Sequence, residues 1–289
     1  MNSLSLNKSE KSTVTKRSGP YRIMIVDDSS VIRGLLTRWI STDPSLEIVA
    51  SVANGQIAIN SLDRYDPEII VLDIEMPVMD GLTALPKILK IKPDVQVLMS
   101  STLTSKNAAI SLKAMELGAA DYVPKPTTNR EVISSKSFQA EIIDKIKSLA
   151  AAKRRSLGHS IYSETKIIKK TNDQIVRINV KPTVELKTRK QSLVIPKIIA
   201  VGSSTGGPQA LLKFLGSIKD NLTLPVVITQ HMPSTFTKIL AAHLTKATQL
   251  SCMEGEDGMI IEPGKVYVAP GDKHMIIVKR DGKHRLKLN

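Results

Sequence analysis

The chain has 289 residues, a length suited to two domains, and at 42% hydrophobic content each half can bury a core, one that 3% aromatics makes aliphatic. One cysteine excludes an intramolecular disulfide and fits a reducing compartment, and no apolar run nears the roughly 18 residues of a membrane span. These features exclude a disulfide-framed secreted protein and membrane insertion and indicate a cytoplasmic one, while the net charge of +14 raises nucleic acid as a partner.

Residues 1–20 are polar, without an apolar core of signal-peptide length, and read as a disordered tail. From 21 to 140 short apolar runs alternate with amphipathic stretches. Strands are predicted at 22–26, 47–53, 68–72, 95–99 and 121–123, and helices at 31–40, 56–62, 82–91, 107–117 and 138–149. Strict alternation means a doubly wound five-strand parallel sheet, which binds ligands beyond the carboxyl ends of its strands. The first strand ends in Asp27 and Asp28, the third in Asp73 and the fourth in Ser100, and Lys125 follows the fifth. Carboxylates crowded in one crevice repel one another without a cation, and an all-oxygen ligand set suits Mg²⁺. A plainer alternative lets Asp27 or Asp28 cap the first helix and makes Ser100 a loop residue.

The segments Ile25-Val26-Asp27-Asp28-Ser29, Val71 to Gly81, Met99-Ser100-Ser101 and Asp121-Tyr122-Val123-Pro124-Lys125-Pro126 resemble the receiver domain of two-component response regulators. The resemblance implies that Asp73 accepts a phosphoryl group and that Asp27 and Asp28 hold Mg²⁺ with it. It further implies that Ser100 is the switch hydroxyl and that Lys125 contacts the phosphate. The chemistry agrees, because a carboxylate attacking a phosphoryl group needs cations to offset the charge on the equatorial oxygens.

Residues 141–195 read as a helix end followed by a basic linker. Between 151 and 195 eleven Lys and Arg face three acids, which explains much of the net charge; one short strand is placed at 174–180. Tyr162 alone offers a stacking surface and no helix-turn-helix pattern follows the first half, so DNA is not an expected partner.

From 196 to 289 a second α/β doubly wound domain is predicted, with a strand at 197–201, a helix at 209–218 and a strand at 224–229. Between the first two lies Gly202-Ser203-Ser204-Thr205-Gly206, the G-x-S-x-G spacing that lets a backbone turn tightly around a nucleophile. Ser204 is the candidate, although such a turn also serves as a phosphate cradle at a helix N-terminus. Consecutive parallel strands place their carboxyl ends side by side, which brings His231 toward Ser204 as a base. His159, His243, His274 and His284 are less well placed, in the linker, a helix and later β-like segments.

Val201 to Gly207, Ile228 to Pro233, Glu256-Asp257-Gly258 and Val266 to Met275 resemble the catalytic domain of CheB-type chemotaxis protein-glutamate methylesterases. That family hydrolyses methyl-glutamate esters on chemotaxis receptors and deamidates receptor glutamines, with no cofactor for the hydrolysis. The resemblance implies Ser204 as nucleophile, His231 as general base, methyl-accepting receptors as substrates and the chemotaxis histidine kinase as phosphoryl donor. On general geometry the backbone N–H of Thr205 is an oxyanion donor. The receiver is expected to cover the Ser204 cleft until Asp73 is phosphorylated. The family's triad acid lies in a Gly-x-Asp-Gly-like segment beyond the hairpin that 266–288 resembles, and Asn289 ends the sequence before it, so the domain reads as incomplete at its C-terminus. Asp257, Asp272 and Asp281 read as turn or hairpin residues. The alternative is a catalytically impaired phosphoryl acceptor that binds receptors.

Overall fold

A computed structural model describes residues 18–102, 104–125, 136–159 and 195–289. The strand placed at 174–180 lies outside them. The first sheet contains β1 (Tyr21–Val26), β2 (Leu46–Val52), β3 (Ile69–Asp73), β4 (Gln96–Thr102) and β5 (Asp121–Lys125), in the order β2-β1-β3-β4-β5, all parallel. Helices α1 (Ser30–Ile40), α2 (Gly55–Tyr65), α3 (Gly81–Ile91), α4 (Ser105–Glu116) and α5 (Lys136–Ser156) belong to this half.

The alternation of side chains across each strand splits the core in two. Ile23, Ile25, Val71, Leu98 and Val123 pack with Leu36, Trp39, Ile142 and Ile146 from α1 and α5. Met24, Val26, Ile70, Leu72, Val97 and Met99 face Leu62, Leu85 and Leu112 from α2, α3 and α4. β3 is apolar on both faces up to Asp73 and wholly buried, the mark of a central strand in a parallel sheet.

Among the boundaries that differ from the sequence reading, those of β4 and α5 change where particular residues stand. β4 runs to Thr102, so Ser100 lies within the strand, paired in register with Asp73. α5 runs to Ser156 rather than ending at 149, because Arg154 is buried: its guanidinium donates to Glu68 Oε1 and Oε2 (both 2.6 Å) and to the carbonyls of Gly19 and Pro20, and it covers the Tyr21 ring. A linker basic residue is thus a core clamp.

The second sheet, in the order β6-β7-β9-β8, is also parallel. It comprises β6 (Ile199–Ser203), β7 (Val226–Gln230), β8 (Ser251–Glu254) and β9 (Lys265–Val268), with helices α6 (Gly207–Ile218) and α7 (Ser234–Thr248). β10 (Met275–Arg280) and β11 (Lys283–Leu288) form a separate antiparallel hairpin. The segment 266–288, likened above to one hairpin, therefore divides: Val266 to Val268 stay in the parallel sheet and the hairpin begins at Met275.

The two halves share one apolar cluster, in which Leu112 and Tyr122 join Leu211, Phe236 and Leu240. The Tyr122 and Phe236 rings stack with centroids 4.4 Å apart and planes 8° from parallel. Burial pushes the Tyr122 phenol above its ordinary range, with the charges of Asp121 and Glu141 adding to the effect. Polar contacts surround this stack. Gln209 Nε2 donates to the carbonyls of Met115 and Ala119, and His243 Nδ1 lies 3.1 Å from Glu116 Oε1. Among the described residues no helix is long and apolar enough to cross a membrane.

Candidate functional site

The first centre lies at the carboxyl ends of β1, β3 and β5, beside the point where the strand order reverses. The N-cap of α1 is Ser29, whose Oγ accepts from Ile32 N, so the capping alternative for Asp27 and Asp28 does not hold. Arg33 donates instead to the backbone carbonyls of Asp27 (2.7 Å) and Asp28 (3.0 Å), which leaves the carboxylates for other partners. Oxygens of Asp27, Asp28 and Asp73 lie within 4.8 Å of one another.

Lys125 Nζ bridges the two buried acids, 2.6 Å from Asp27 Oδ2 and 2.8 Å from Asp73 Oδ1. Asp27 Oδ2 is thus buried with the Lys125 ammonium as its charge partner. A hard cation fits there, because oxygens of three carboxylates converge. Burial raises Asp73 from 3.8 to about 6 against the opposing pull of Lys125, with Asp27 pushing it further up. Burial works against the charge of Lys125 too, but Asp73 and Asp27 outweigh it and hold the ammonium above its ordinary value.

The loop after β3 needs one glycine for space. Gly81 N donates to Ile74 O, and a Cβ at Gly81 would stand 2.0 Å from Asp73 O. The motif's final glycine is therefore a contact requirement of β3. Val78, 84% exposed with φ of 69°, carries the strain of the same turn.

The second centre sits where β6 and β7 end. Their register pairs Ser203 with Gln230, so the next residues, Ser204 and His231, emerge side by side. Ser204 Oγ is 3.5 Å from His231 Nδ1, and both residues are exposed. For Nδ1 to accept the hydroxyl proton, the neutral imidazole must carry its own proton on Nε2. Among the described residues Ser204 is the one hydrogen-bonding partner of the His231 ring. Asp257 Oδ1 accepts from Leu288 N, while Asp272 and Asp281 hold left-handed turn positions at φ of 63° and 52°.

Gln230 was not singled out from the sequence, yet it ties this turn together. Its Oε1 accepts from Ser203 Oγ at 2.6 Å, and its Nε2 donates to the carbonyls of Ser204 (2.9 Å) and His231 (3.3 Å). Gly207 makes room, since a Cβ there would lie 2.0 Å from Gln230 Oε1. The available signal was a polar side chain ending a buried strand, where an amide must find partners.

Gly206, in the left-handed conformation at φ of 72°, caps α6 and aims the helix N-terminus into the turn. The receiver half touches this turn at Gly206, whose N–H donates to Asp121 Oδ2 at 3.0 Å. Ser204 itself is exposed, and this contact with the first half lies two residues further along the turn.

The fold and these two centres define a response-regulator receiver packed on an α/β domain of the serine-hydrolase kind. The family model for the response regulator receiver domain matches residues 23–136, and that for the CheB methylesterase matches 199–289. The protein-glutamate methylesterase/protein-glutamine glutaminase of Azospirillum brasilense is 46% identical over 282 residues, covering 93% of this chain and 69% of the relative. That of Rhodospirillum rubrum is 43% identical, covering 94% and 72%. The chain belongs to the protein-glutamate methylesterase/protein-glutamine glutaminase family. Among solved structures, the response regulator domain of Thermotoga maritima CheB is 32% identical (TM-score 0.42), covering 45% of this chain and 96% of that one. The Thermotoga maritima CheB methylesterase catalytic domain is 43% identical (TM-score 0.32), covering 33% of this chain and 51% of that one, so the chain spans about half of that domain structure.

Proposed function

We propose that this protein is a phosphorylation-controlled methylesterase that removes methyl groups from glutamate esters of chemotaxis receptors, and deamidates receptor glutamines, in the cytoplasm. The observation that carries the reading is the Ser204–His231 pair, 3.5 Å apart at the carboxyl ends of adjacent parallel strands. Ser204 Oγ attacks the ester carbonyl as its proton passes to His231 Nδ1. The carbonyl oxygen becomes an oxyanion beside the N–H groups of the turn, Thr205 among them. Collapse breaks the bond to the methoxy oxygen, His231 returns the proton, and methanol leaves. Water, deprotonated by the same imidazole, then attacks the acyl-serine and frees the glutamate carboxylate and Ser204. With a glutamine side chain the leaving group is ammonia.

Control begins at Asp73, which takes a phosphoryl group from the chemotaxis histidine kinase. Asp27, Asp28 and Asp73 would hold Mg²⁺, which offsets charge on the phosphoryl oxygens when bound. Lys125, between Asp27 and Asp73, is placed to exchange a carboxylate for a phosphoryl oxygen, and Ser100, in register with Asp73, follows it.

The test is methanol release from methylated receptor by the chain and by Ser204→Ala, with and without acetyl phosphate. Release that depends on Ser204 and rises on phosphorylation supports the reading. No release from either protein refutes hydrolysis and leaves a phosphoryl acceptor that binds receptors.

A further inference from the structure

Among the described residues the His231 ring bonds to Ser204 alone, so its aim comes from the backbone that carries it. On the near side that backbone is pinned: His231 N donates to Ser203 O at 3.0 Å, and Gln230 reaches the His231 carbonyl. On the far side the chain runs through Met232, 6% exposed, into α7, and there Pro233 stands at the N-cap with no side-chain capping bond.

A buried hydroxyl holds this entry instead. Thr237, in the first turn of α7, is 0% exposed. Its Oγ1 donates to Oε1 of Glu254, the last residue of β8, at 2.5 Å and accepts from Gly271 N, beyond β9, at 3.2 Å; Ser234 O lies 3.1 Å away. Gly271 in turn lies close on the segment after His231, where a Cβ would stand 2.4 Å from Ser234 N and 2.7 Å from both Met232 O and Pro233 C. One hydroxyl thus joins the start of α7 to the carboxyl ends of β8 and β9. Valine has nearly the same shape, and a buried hydroxyl costs free energy unless its bonds are made, so the site holds threonine for those bonds. The acceptor is a carboxylate, which makes the bond to it the stronger kind.

We propose that Thr237 and Glu254 are positioning residues for the base: their hydrogen bond fixes the entry of α7, and with it the backbone from which His231 reaches Ser204. Both act through residues 232–234 rather than on the substrate. The separation they maintain, 3.5 Å from Ser204 Oγ to His231 Nδ1, is already long for a proton transfer. A further displacement of about 1 Å costs about 10²-fold in rate. The proposal rests on the hydrolytic reading of Ser204, so its test carries a readout independent of turnover.

The experiment compares the full chain with Thr237→Val, Thr237→Ser and Thr245→Val. Thr245 is the control, because its Oγ1 also ties α7 to β8, through the backbone of Cys252, but toward the ends of both elements remote from His231. Methanol release gives kcat and KM. Nitrogen NMR shifts of the histidine rings, with His231 assigned from a His231→Gln chain, report whether Nδ1 still accepts a hydrogen bond. Thr237→Val is expected to lower kcat about 10²-fold with little change in KM, and to move the His231 shifts toward the mixed tautomers of a free imidazole. Thr237→Ser should restore both, and Thr245→Val should lower the unfolding midpoint alone. Should Thr237→Val fail to fold, Glu254→Ala, at a half-buried strand end, replaces it, with kcat expected about tenfold down. An unchanged kcat in the folded variant, where the parent chain turns over, overturns the proposal, as does an equal loss from Thr245→Val. If the parent releases no methanol, the hydrolytic reading falls and the ring shifts alone decide: altered shifts uphold the positioning of His231, and unchanged ones overturn it.

Discussion

Asp73 carries a cost that its neutral analogue should remove. Burial holds its carboxyl at about 6 against 3.8 for the free group, in spite of Lys125 at 2.8 Å. Between those values the folded chain keeps a proton that the unfolded chain has released, so stability falls as pH rises through the window, and the deficit is complete above about 6. At about 1.4 kcal/mol per pH unit, the interval corresponds to about 3 kcal/mol at neutral pH, an upper figure for the metal-free protein. The amide introduced by Asp73→Asn would resemble the protonated acid. Its carbonyl oxygen can still accept from Ile74 N, a bond of 2.7 Å in the parent, and Lys125 keeps Asp27 at 2.6 Å.

The prediction is that Asp73→Asn stabilises the receiver half by about 1–3 kcal/mol at pH 7.5 in EDTA, with a gain that shrinks toward zero as pH falls to 4. Thermal unfolding of both proteins across that range reads the difference, which cancels other carboxyls such as Asp43, held below its ordinary value by Lys147 and Ser45 in spite of burial. Mg²⁺ should close the gap from the other side: at 100 times its dissociation constant it would stabilise the parent by about 2.7 kcal/mol and the variant much less. An Asp73→Asn variant less stable than the parent, or a gap independent of pH, would refute the argument that desolvation of Asp73 dominates the site.

The other predictions concern contacts between elements. Gln230→Ala leaves Ser203 Oγ without its acceptor and the His231 carbonyl without its side-chain donor, while the Ser204 carbonyl keeps Gly207 N; it should cost about 2 kcal/mol and lower kcat more than KM, as measured by unfolding and ester turnover. Gly207→Ala should act in the same direction, because the new Cβ would displace Gln230. Phe236→Ala removes the partner of Tyr122 and should weaken the hydrolytic half by about 3–5 kcal/mol; Tyr122→Phe keeps the stack and should be mild. Proteolysis rates at the junction of the halves would separate the two.

The elements legible in the sequence are those whose pattern is local. β3 announces itself as an unbroken apolar run ending in an acid, and Ser204 and His231 each stand three positions past the last apolar residue of a strand, so their meeting follows from parallel pairing of β6 with β7. Residues whose partners lie far along the chain were not legible. Arg154 stands in a basic stretch, where charge density indicates solvent, and only the fold brings Glu68 and the carbonyls of Gly19 and Pro20 to it. Asp121 and Gly206 are 85 positions apart, and each looks ordinary alone, one opening a strand and the other turning into a helix.

The two centres are thereby joined through one short strand. β5 ends at Lys125, which touches Asp73, and begins at Asp121, which touches the turn at Gly206, with Tyr122 stacked on Phe236 beside it. The in-register pairing of β5 with β4, from Leu98–Asp121 to Thr102–Lys125, fixes the separation of those two contacts.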